Sequence, residues 1–145
     1  MDSEALAQQV GSKLTHIDRK LLKLIGIEIL EVTPGRCVAR MTVRDDLVNS
    51  ANVCQGGIIF TLADQAFAYA SLSSNYGGAT LSANIIFTHP APLGDVLTAT
   101  AAVSVDSGGR TSSNEVIVTN QDGQVIAKIQ GVWVKNRIEI VKNEQ

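Results

Sequence analysis

Asp64 is the one charged residue in a run of 48, Leu47 to Gly94, where the chain average of 18% charged residues would give eight or nine. A run so poor in charge belongs in a core or against another subunit. A carboxylate inside it loses solvation, so its pKa is driven upward unless donors reach it. Perturbed carboxylates are what general acid–base and nucleophilic chemistry draw on, although a solvated helix face that merely aids solubility is the competing reading. Ahead of Asp64 stands Gln55-Gly56-Gly57, directly before an apolar run of helical period. Glycines there let a ligand approach the backbone, and the first amides of a helix have no internal partner. Such a position suits a carbonyl oxygen that turns into an oxyanion, yet a Gly-Gly pair before a helix is more commonly only a turn.

Seven helical residues separate Gly57 from Asp64, roughly 10 Å at 1.5 Å per residue. Asp64 therefore cannot serve the N-terminus of its own helix. Two such helices packed antiparallel, one from each of two subunits, bring each Asp64 to the other's Gly57. A site built on these residues is made by a dimer.

The other reactive types are few. Cys37 and Cys54 are too few for a disulfide framework, and with only His16 and His89 there is no ligand set for structural zinc. Cys54, with no histidine near it in sequence, reads as a small buried hydrophobe. His89 reads as a structural or rim residue at a strand end, His16 as solvated, and Trp133 and Phe67 most simply as core.

These residues need elements to hold them. Leu6, Val10, Leu14, Ile17, Leu21 and Leu24 predict an amphipathic N-terminal helix over residues 1–24, weakened locally by Gly11 and stopped by Gly26. Ile27 to Thr33 and Arg36 to Arg44, joined by Pro34-Gly35, predict a hairpin whose second strand buries Cys37, Ala39, Met41 and Val43. From Gly57 to about Ser74 the period becomes helical, with Ile58, Ile59, Leu62, Ala63, Ala66, Phe67 and Ala70 as an apolar stripe. The alanines make this helix thin, as one wrapped closely by a sheet must be. Four strands follow, Ala79 to His89, Asp95 to Val105, Arg110 to Asn120 and Gln124 to Lys135, with Asn120 to Gly123 as a tight turn. The last alternates Val125, Ala127, Ile129, Gly131 and Trp133 on one face, and residues 136–145 read as a fraying tail. An α+β fold follows, an antiparallel sheet around one central helix, in a single domain of residues 1–145.

A net charge of -2 and scattered cations exclude the basic stripe of a nucleic-acid binder. No run approaches about 18 apolar residues, and the acidic Met-Asp-Ser-Glu start lacks the basic region of a signal peptide, so the expected location is cytoplasmic, with no membrane partner.

The segment Asn49-Ser-Ala-Asn-Val-Cys-Gln-Gly-Gly-Ile-Ile-Phe-Thr-Leu-Ala-Asp64-Gln-Ala-Phe-Ala-Tyr-Ala resembles the signature of hot-dog fold thioesterases, in particular the PaaI-like acyl-CoA thioesterases of the phenylacetic acid degradation type. Ser82-Ala-Asn-Ile-Ile-Phe-Thr-His-Pro-Ala-Pro-Leu-Gly-Asp95 extends it, and the likeness covers about Ile25 to Val134. The resemblance implies that Asp64 is general base or nucleophile on the thioester, that the Gly56-Gly57 backbone donates to the carbonyl oxygen, and that Asn49 places the thioester or water. It implies Ser82 beside Asp64 in the same subunit and a site shared across a homodimer, with dimers paired into a homotetramer. The substrate is then a small aryl or medium-chain acyl-CoA, split by water without metal or redox cofactor. Arg110 is a candidate for the CoA phosphates, with Lys135 and Arg137 behind it, and Phe67, Tyr69 and Phe87 are candidates for the acyl wall. The family usually reads His-Gly-Gly where this chain has Gln55, which keeps an amide donor and acceptor but does not titrate near neutral pH. The alternatives are a non-catalytic acyl-CoA binding protein or, behind it, a hydratase or dehydratase of the same fold.

Overall fold

The computed structural model describes residues 1–142. The N-terminal run forms α1 (Ser3–Ile17), capped by the Asp2 carboxylate, which accepts the Ala5 amide at 2.8 Å. The single helix expected over 1–24 is two, because α2 (Arg19–Ile25) starts after a break at Asp18, where φ is −87° and ψ is 5°. The physical reason is tertiary: the buried Tyr69 hydroxyl donates to Asp18 Oδ2 at 2.6 Å, anchoring the break to the core. Gly11 is not a weak point either. A Cβ there would meet the Val32 side chain at 2.9 Å, so its bareness lets α1 lie against the next strand.

That strand, β1 (Glu28–Thr33), and β2 (Arg36–Thr42) form the expected hairpin, and Gly35 in its turn takes a φ of 70°. Cys37, Ala39 and Met41 of β2 point inward while Thr42 is exposed. The central helix α3 (Gly56–Leu72) buries Ile59, Leu62, Ala63, Ala66, Phe67, Tyr69 and Ala70, with Ile58 half-buried.

Strands β3 (Tyr76–Phe87), β4 (Val96–Asp106), β5 (Thr111–Thr119) and β6 (Val125–Glu139) complete one antiparallel six-stranded sheet in the order β1-β2-β4-β5-β6-β3. Chain order and spatial order part company at β3, which lies beside β6 at the edge. Residues 88–95 carry the chain back to β4 and are tied down by the Cys54 amide on the Ala91 carbonyl at 2.7 Å and the Val43 amide on the Asp95 carbonyl at 2.8 Å. Of the alternating set in β6, Ala127, Ile129 and Trp133 are buried and Val125 is 39% exposed.

The expected fraying tail is also corrected. β6 runs to Glu139, and beyond it the Asn75 side chain pairs like a strand, accepting the Val141 amide at 2.7 Å and donating to the Val141 carbonyl at 2.9 Å. Residues 143–145 of that tail lie outside the described residues.

The two sheet edges differ. β1 carries Glu28 and Glu31 and is flanked by α1. β3 carries no charge, and residues 79–84 are exposed throughout, Leu81 to 66%. Among the described residues no helix is long and apolar enough to cross a membrane.

Gly131 of β6 is wedged between β3 and the Phe67 ring of α3. A Cβ there would run into the Ser82 carbonyl and come within 3.1 Å of the Phe67 ring. Gly131→Ala is expected to cost about 1–3 kcal/mol, the usual range for an overpacked core. The check is a drop in the urea midpoint with unchanged slope, and an unaltered midpoint would show that β3 yields freely.

Candidate active site

The loop before α3 is shaped by Asn49. Its Oδ1 accepts the Ala51 amide at 2.9 Å, and its backbone amide bonds the Val53 carbonyl at 2.8 Å. The Asn49 carbonyl oxygen is thus spent on the turn, which leaves only its NH2 to meet a ligand. Asn52 follows in left-handed geometry with a φ of 65°. Gln55 is the N-cap of α3, yet its side chain makes no capping bond, and its own carbonyl takes the Ile58 amide at 3.0 Å.

Neither Gly56 nor Gly57 has an amide partner among the described residues. The two glycines are open for different reasons. A Cβ on Gly56 would meet Phe87 Cζ at 3.0 Å, whereas one on Gly57 would meet nothing within 4 Å. Gly56 makes room for an aromatic wall, and Gly57 presents bare backbone at the positive end of the helix dipole.

Asp64 lies two turns further along, on a stripe of α3 that the sheet leaves uncovered. Gly57 and Asp64 on it are exposed, and Thr61, Ala68 and Leu72 are half-buried. Partial burial against its surroundings pushes the Asp64 carboxyl above its ordinary 3.8, and the Thr80 hydroxyl facing it offsets part of that rise by favouring the charged form. Thr80 is the residue that sequence reasoning missed. Ser82 was expected beside Asp64, but the register slips at Leu81, so that Thr80 pairs with Trp133 and Ser82 with Val132. Ser82 is exposed just beyond that bulge. Ser82 was expected from the family resemblance, and strand alternation without a bulge would put Thr80 and Ser82 on one face.

Two of the candidates for an acyl wall are placed in the core instead. Phe67 is a core side chain, 1% exposed, whose carbonyl accepts the buried Asn114 amide at 3.2 Å. Tyr69 is equally buried. Of the aromatic residues considered for an acyl wall, Phe87 alone stands at the Gly56 end of the helix. Burial pushes the Cys54 thiol up to about 11, so it holds no thiolate at neutral pH.

Arg110 stands past the Ser107-Gly108-Gly109 turn, with Gly108 at a φ of 76° and its amide on Asp106 Oδ1 at 2.8 Å. With Lys135, Arg137 and Lys142 it lines an open groove of about 1100 Å³. It also borders Ser73 and Ser74 at the C-terminal end of α3, so within one chain it lies at the opposite end of the helix from Gly57, some 20 Å away at the usual helical rise. Asp64 with Thr80, and Gly56 with Phe87, are brought together. Asp64 with Gly57, and Gly57 with Arg110, are not.

Comparison with known proteins bears on this arrangement. Residues 51–127 match the family model described as Thioesterase superfamily. The chain is 37% identical over 109 residues to "Acyl-coenzyme A thioesterase PaaI" of Escherichia coli (strain K12), covering 75% of this chain and 77% of that protein. The E. coli PaaI structure superposes with a TM-score of 0.91 at 30% identity, covering 95% of this chain and 99% of that one. A Streptococcus mutans protein bound to acetyl CoA matches with a TM-score of 0.72 at 28% identity, over 76% of this chain and 88% of its own. A hypothetical thioesterase protein from Streptococcus pneumoniae matches with a TM-score of 0.72 at 27% identity over 76% of this chain and 89–90% of its own, and its solved alanine variants alter an aspartate and a threonine 16 positions apart.

The Asp64–Thr80 contact predicts a titration. Thr80→Val removes the donor to the charged form, so the Asp64 pKa rises further, measured by carboxyl NMR. A native pKa raised above 3.8 also fixes a sign: the protonated group is the favoured one, so its stabilisation is complete below 3.8 and lost as pH climbs through the native value. Asp64→Asn is therefore expected to raise Tm at pH 7, with the gain shrinking toward acid pH. A pKa unmoved by Thr80→Val would remove the contact.

Proposed function

The chain belongs to the thioesterase superfamily, has its hot-dog fold and is a thioester hydrolase, and from that premise we propose that it cleaves acyl-CoA at a composite site made by two copies of itself. The observation that carries this reading is one stripe of α3 that the sheet leaves uncovered, holding a bare amide at Gly57 and the Asp64 carboxylate roughly 10 Å further on. Neither can serve the other within one chain. A second copy packed with its α3 antiparallel joins each Asp64 to the other's Gly57. The uncharged, exposed edge of β3 supports the same pairing, since an edge of that kind is normally covered or blunted by charge.

In this arrangement the thioester carbonyl oxygen accepts the Gly57 amide at the helix N-terminus, where negative charge developing on it is stabilised. Asp64 of the partner subunit takes the proton of an attacking water, or attacks the carbonyl itself to form an anhydride that water hydrolyses once CoA has left. The C–S bond then breaks, and CoA leaves as a thiolate that is protonated. Thr80 holds the carboxylate in place and ionised, and the Asp–Thr separation of 16 in the S. pneumoniae variants equals that from Asp64 to Thr80. Asn49 offers its NH2 and Gln55 an amide to the thioester. Arg110 of the partner subunit, at the far end of its α3, comes round to the Gly57 end, where it and Lys135 meet the CoA phosphates. The acyl group is a small aryl or a medium chain beside Phe87. Two dimers pair into a homotetramer as the family resemblance implies, working in the cytoplasm on soluble CoA esters.

Thiol release from acetyl-, hexanoyl-, decanoyl- and phenylacetyl-CoA tests the reading. Asp64→Ala is expected to lower kcat about 10²–10⁴-fold, the usual worth of general acid–base catalysis, with the oligomer unchanged by sedimentation. Turnover indifferent to Asp64 would sink the assignment. Tight CoA-ester binding without release in the wild type would point to the non-catalytic binder, with Gln55→His as the variant that restores release. The base works ionised, so kcat/KM rises with pH along one limb placed above 3.8, and Gln55 adds no histidine limb near neutrality. Arg110→Glu is expected to raise KM for every ester alike and to flatten its salt dependence. An unaltered KM would take the phosphates elsewhere.

A further inference from the structure

The cations at the C-terminal end of α3 lie in two tiers. Arg110 and Lys135 are seated side by side, the Lys135 amide donating to the Arg110 carbonyl at 2.6 Å. Both line a cavity of about 290 Å³ that reaches in to the end of α3, and both also line the open groove of about 1100 Å³ outside it. Arg137 and Lys142 line only the outer groove. The thioester site as described uses the inner pair for the CoA phosphates and leaves the outer pair without a task.

The outer tier is held in place and composed like an interface. β6 has its last partner on β5 at Val134, and from Lys135 onward it pairs with β3 alone. The Asn136 side chain then accepts the Ile138 amide at 2.8 Å, and Asn75 holds Val141. Ile138, 68% exposed, stands next to Arg137, and the exposed Tyr76 ring borders the same groove. Glu139 is the one acid lining it among the described residues, so with four of its twelve Lys and Arg a chain of net charge -2 turns a face of +3 outward. Arg36, Arg40, Arg44 and Lys128 each hold a carboxylate, whereas among the described residues none of these four cations does. Apolar side chains among unpaired charges of one sign suit an acidic protein surface, and the volume exceeds the usual range of small-molecule pockets.

We propose that this groove docks a small acidic protein that carries its acyl group on a phosphopantetheine arm, so that carrier-bound thioesters are substrates alongside acyl-CoA. This rests on the thioesterase reading above and deepens it by naming a second carrier of the thioester. The arm and its first phosphate are common to CoA and to such a protein. With that phosphate on Arg110 and Lys135, whatever the arm is attached to extends outward over Arg137, Ile138 and Lys142. Water adds across the C–S bond as before: the acyl carbon gains the hydroxyl and leaves as the acid, and the sulfur gains the proton and stays on the carrier as a thiol.

The test uses one acyl group, the one cleaved fastest from CoA, loaded on an acidic acyl carrier protein and compared with its CoA ester. Wild type should discharge the carrier, with Asp64→Ala abolishing release. Lys142→Glu should lower kcat/KM for the carrier ester about tenfold or more, the scale of electrostatic steering, mostly through KM, and leave the CoA ester unchanged. Ile138→Glu should do the same, and intact CoA-ester turnover reports that both variants are folded. Reversing acids to lysine on the carrier helix beside its phosphopantetheine should harm wild type and favour Lys142→Glu. A carrier ester left uncleaved, or cleaved equally by wild type and both variants, overturns the proposal. Sedimentation of wild type but not Lys142→Glu with phosphatidylserine vesicles, with carrier discharge unaltered, also overturns it and assigns the face to a membrane. Asp64-dependent release from the CoA ester would in each case leave the thioesterase reading standing, whereas release indifferent to Asp64 removes both.

Discussion

A six-stranded sheet can curl around a single helix only where that helix is little wider than its backbone, and α3 meets the condition with Ala63, Ala66 and Ala70, all buried. The strands answer in kind: Cys37 and Ala39 on β2, Ala99 and Ala101 on β4, and Gly131 on β6 against the Phe67 ring. Larger side chains on either surface would hold the strands off and open voids that dense cores do not tolerate. The same closeness explains the crossover. Because the sheet has curled, residues 88–95 can pass the head of the helix in a short span and set β3 at the far edge. In doing so they deliver Phe87 and His89 to the Gly56 end of α3.

Close wrapping also decides what the helix leaves open. A sheet that covers one side of α3 exposes a single stripe, and on that stripe lie Gly57 at one end and Asp64 at the middle. The rise of the helix keeps the two apart however the loops are arranged. On the composite-site reading proposed above, a monomer displays the halves of a site without the whole, and the uncharged strand beside Asp64 would give a second copy something to pair with. Positive groups follow the same geometry. The Arg110 cluster, remote from Gly57 within one chain, stands at the end where an antiparallel neighbour's helix begins.

Much of this was legible in the residues. The hairpin at Pro34-Gly35, the inward face of β2, the extent of α3 and the positions of the late strands all follow from local rules of period and turn chemistry. The charge gap flagged Asp64 before any geometry was available. What escaped were features set by contacts distant in sequence. The break at Asp18 depends on a tyrosine 51 residues away, and the ordered tail depends on Asn75, 66 residues before Val141. The bulge at Leu81 exchanged Ser82 for Thr80 beside the carboxylate, and no alternation of side chains announces such a slip. Phe67 and Phe87 look equivalent as residue types, yet one fills the core and the other walls the site.

Folding alone gives no reason for a carboxylate at position 64. The neighbouring positions on its stripe, Thr61 and Ala68, are small and neutral, and either type would pack there without shedding hydration from a charge. Burial already pushes the Asp64 pKa upward, so the residue resists the very surface it belongs to, and Thr80 returns only part of what is lost. A local cost of this kind, with no gain in packing, is what a functional residue looks like in a chain whose other choices agree with one another. Gln55 obeys the same logic in reverse. As an N-cap it makes no capping bond, although Ser, Thr, Asp or Asn would cap better, so its amide is left free beside the open backbone of Gly57. Two residues that each serve the fold poorly, at positions an antiparallel pair of helices would bring together, are what the composite site proposed above would account for.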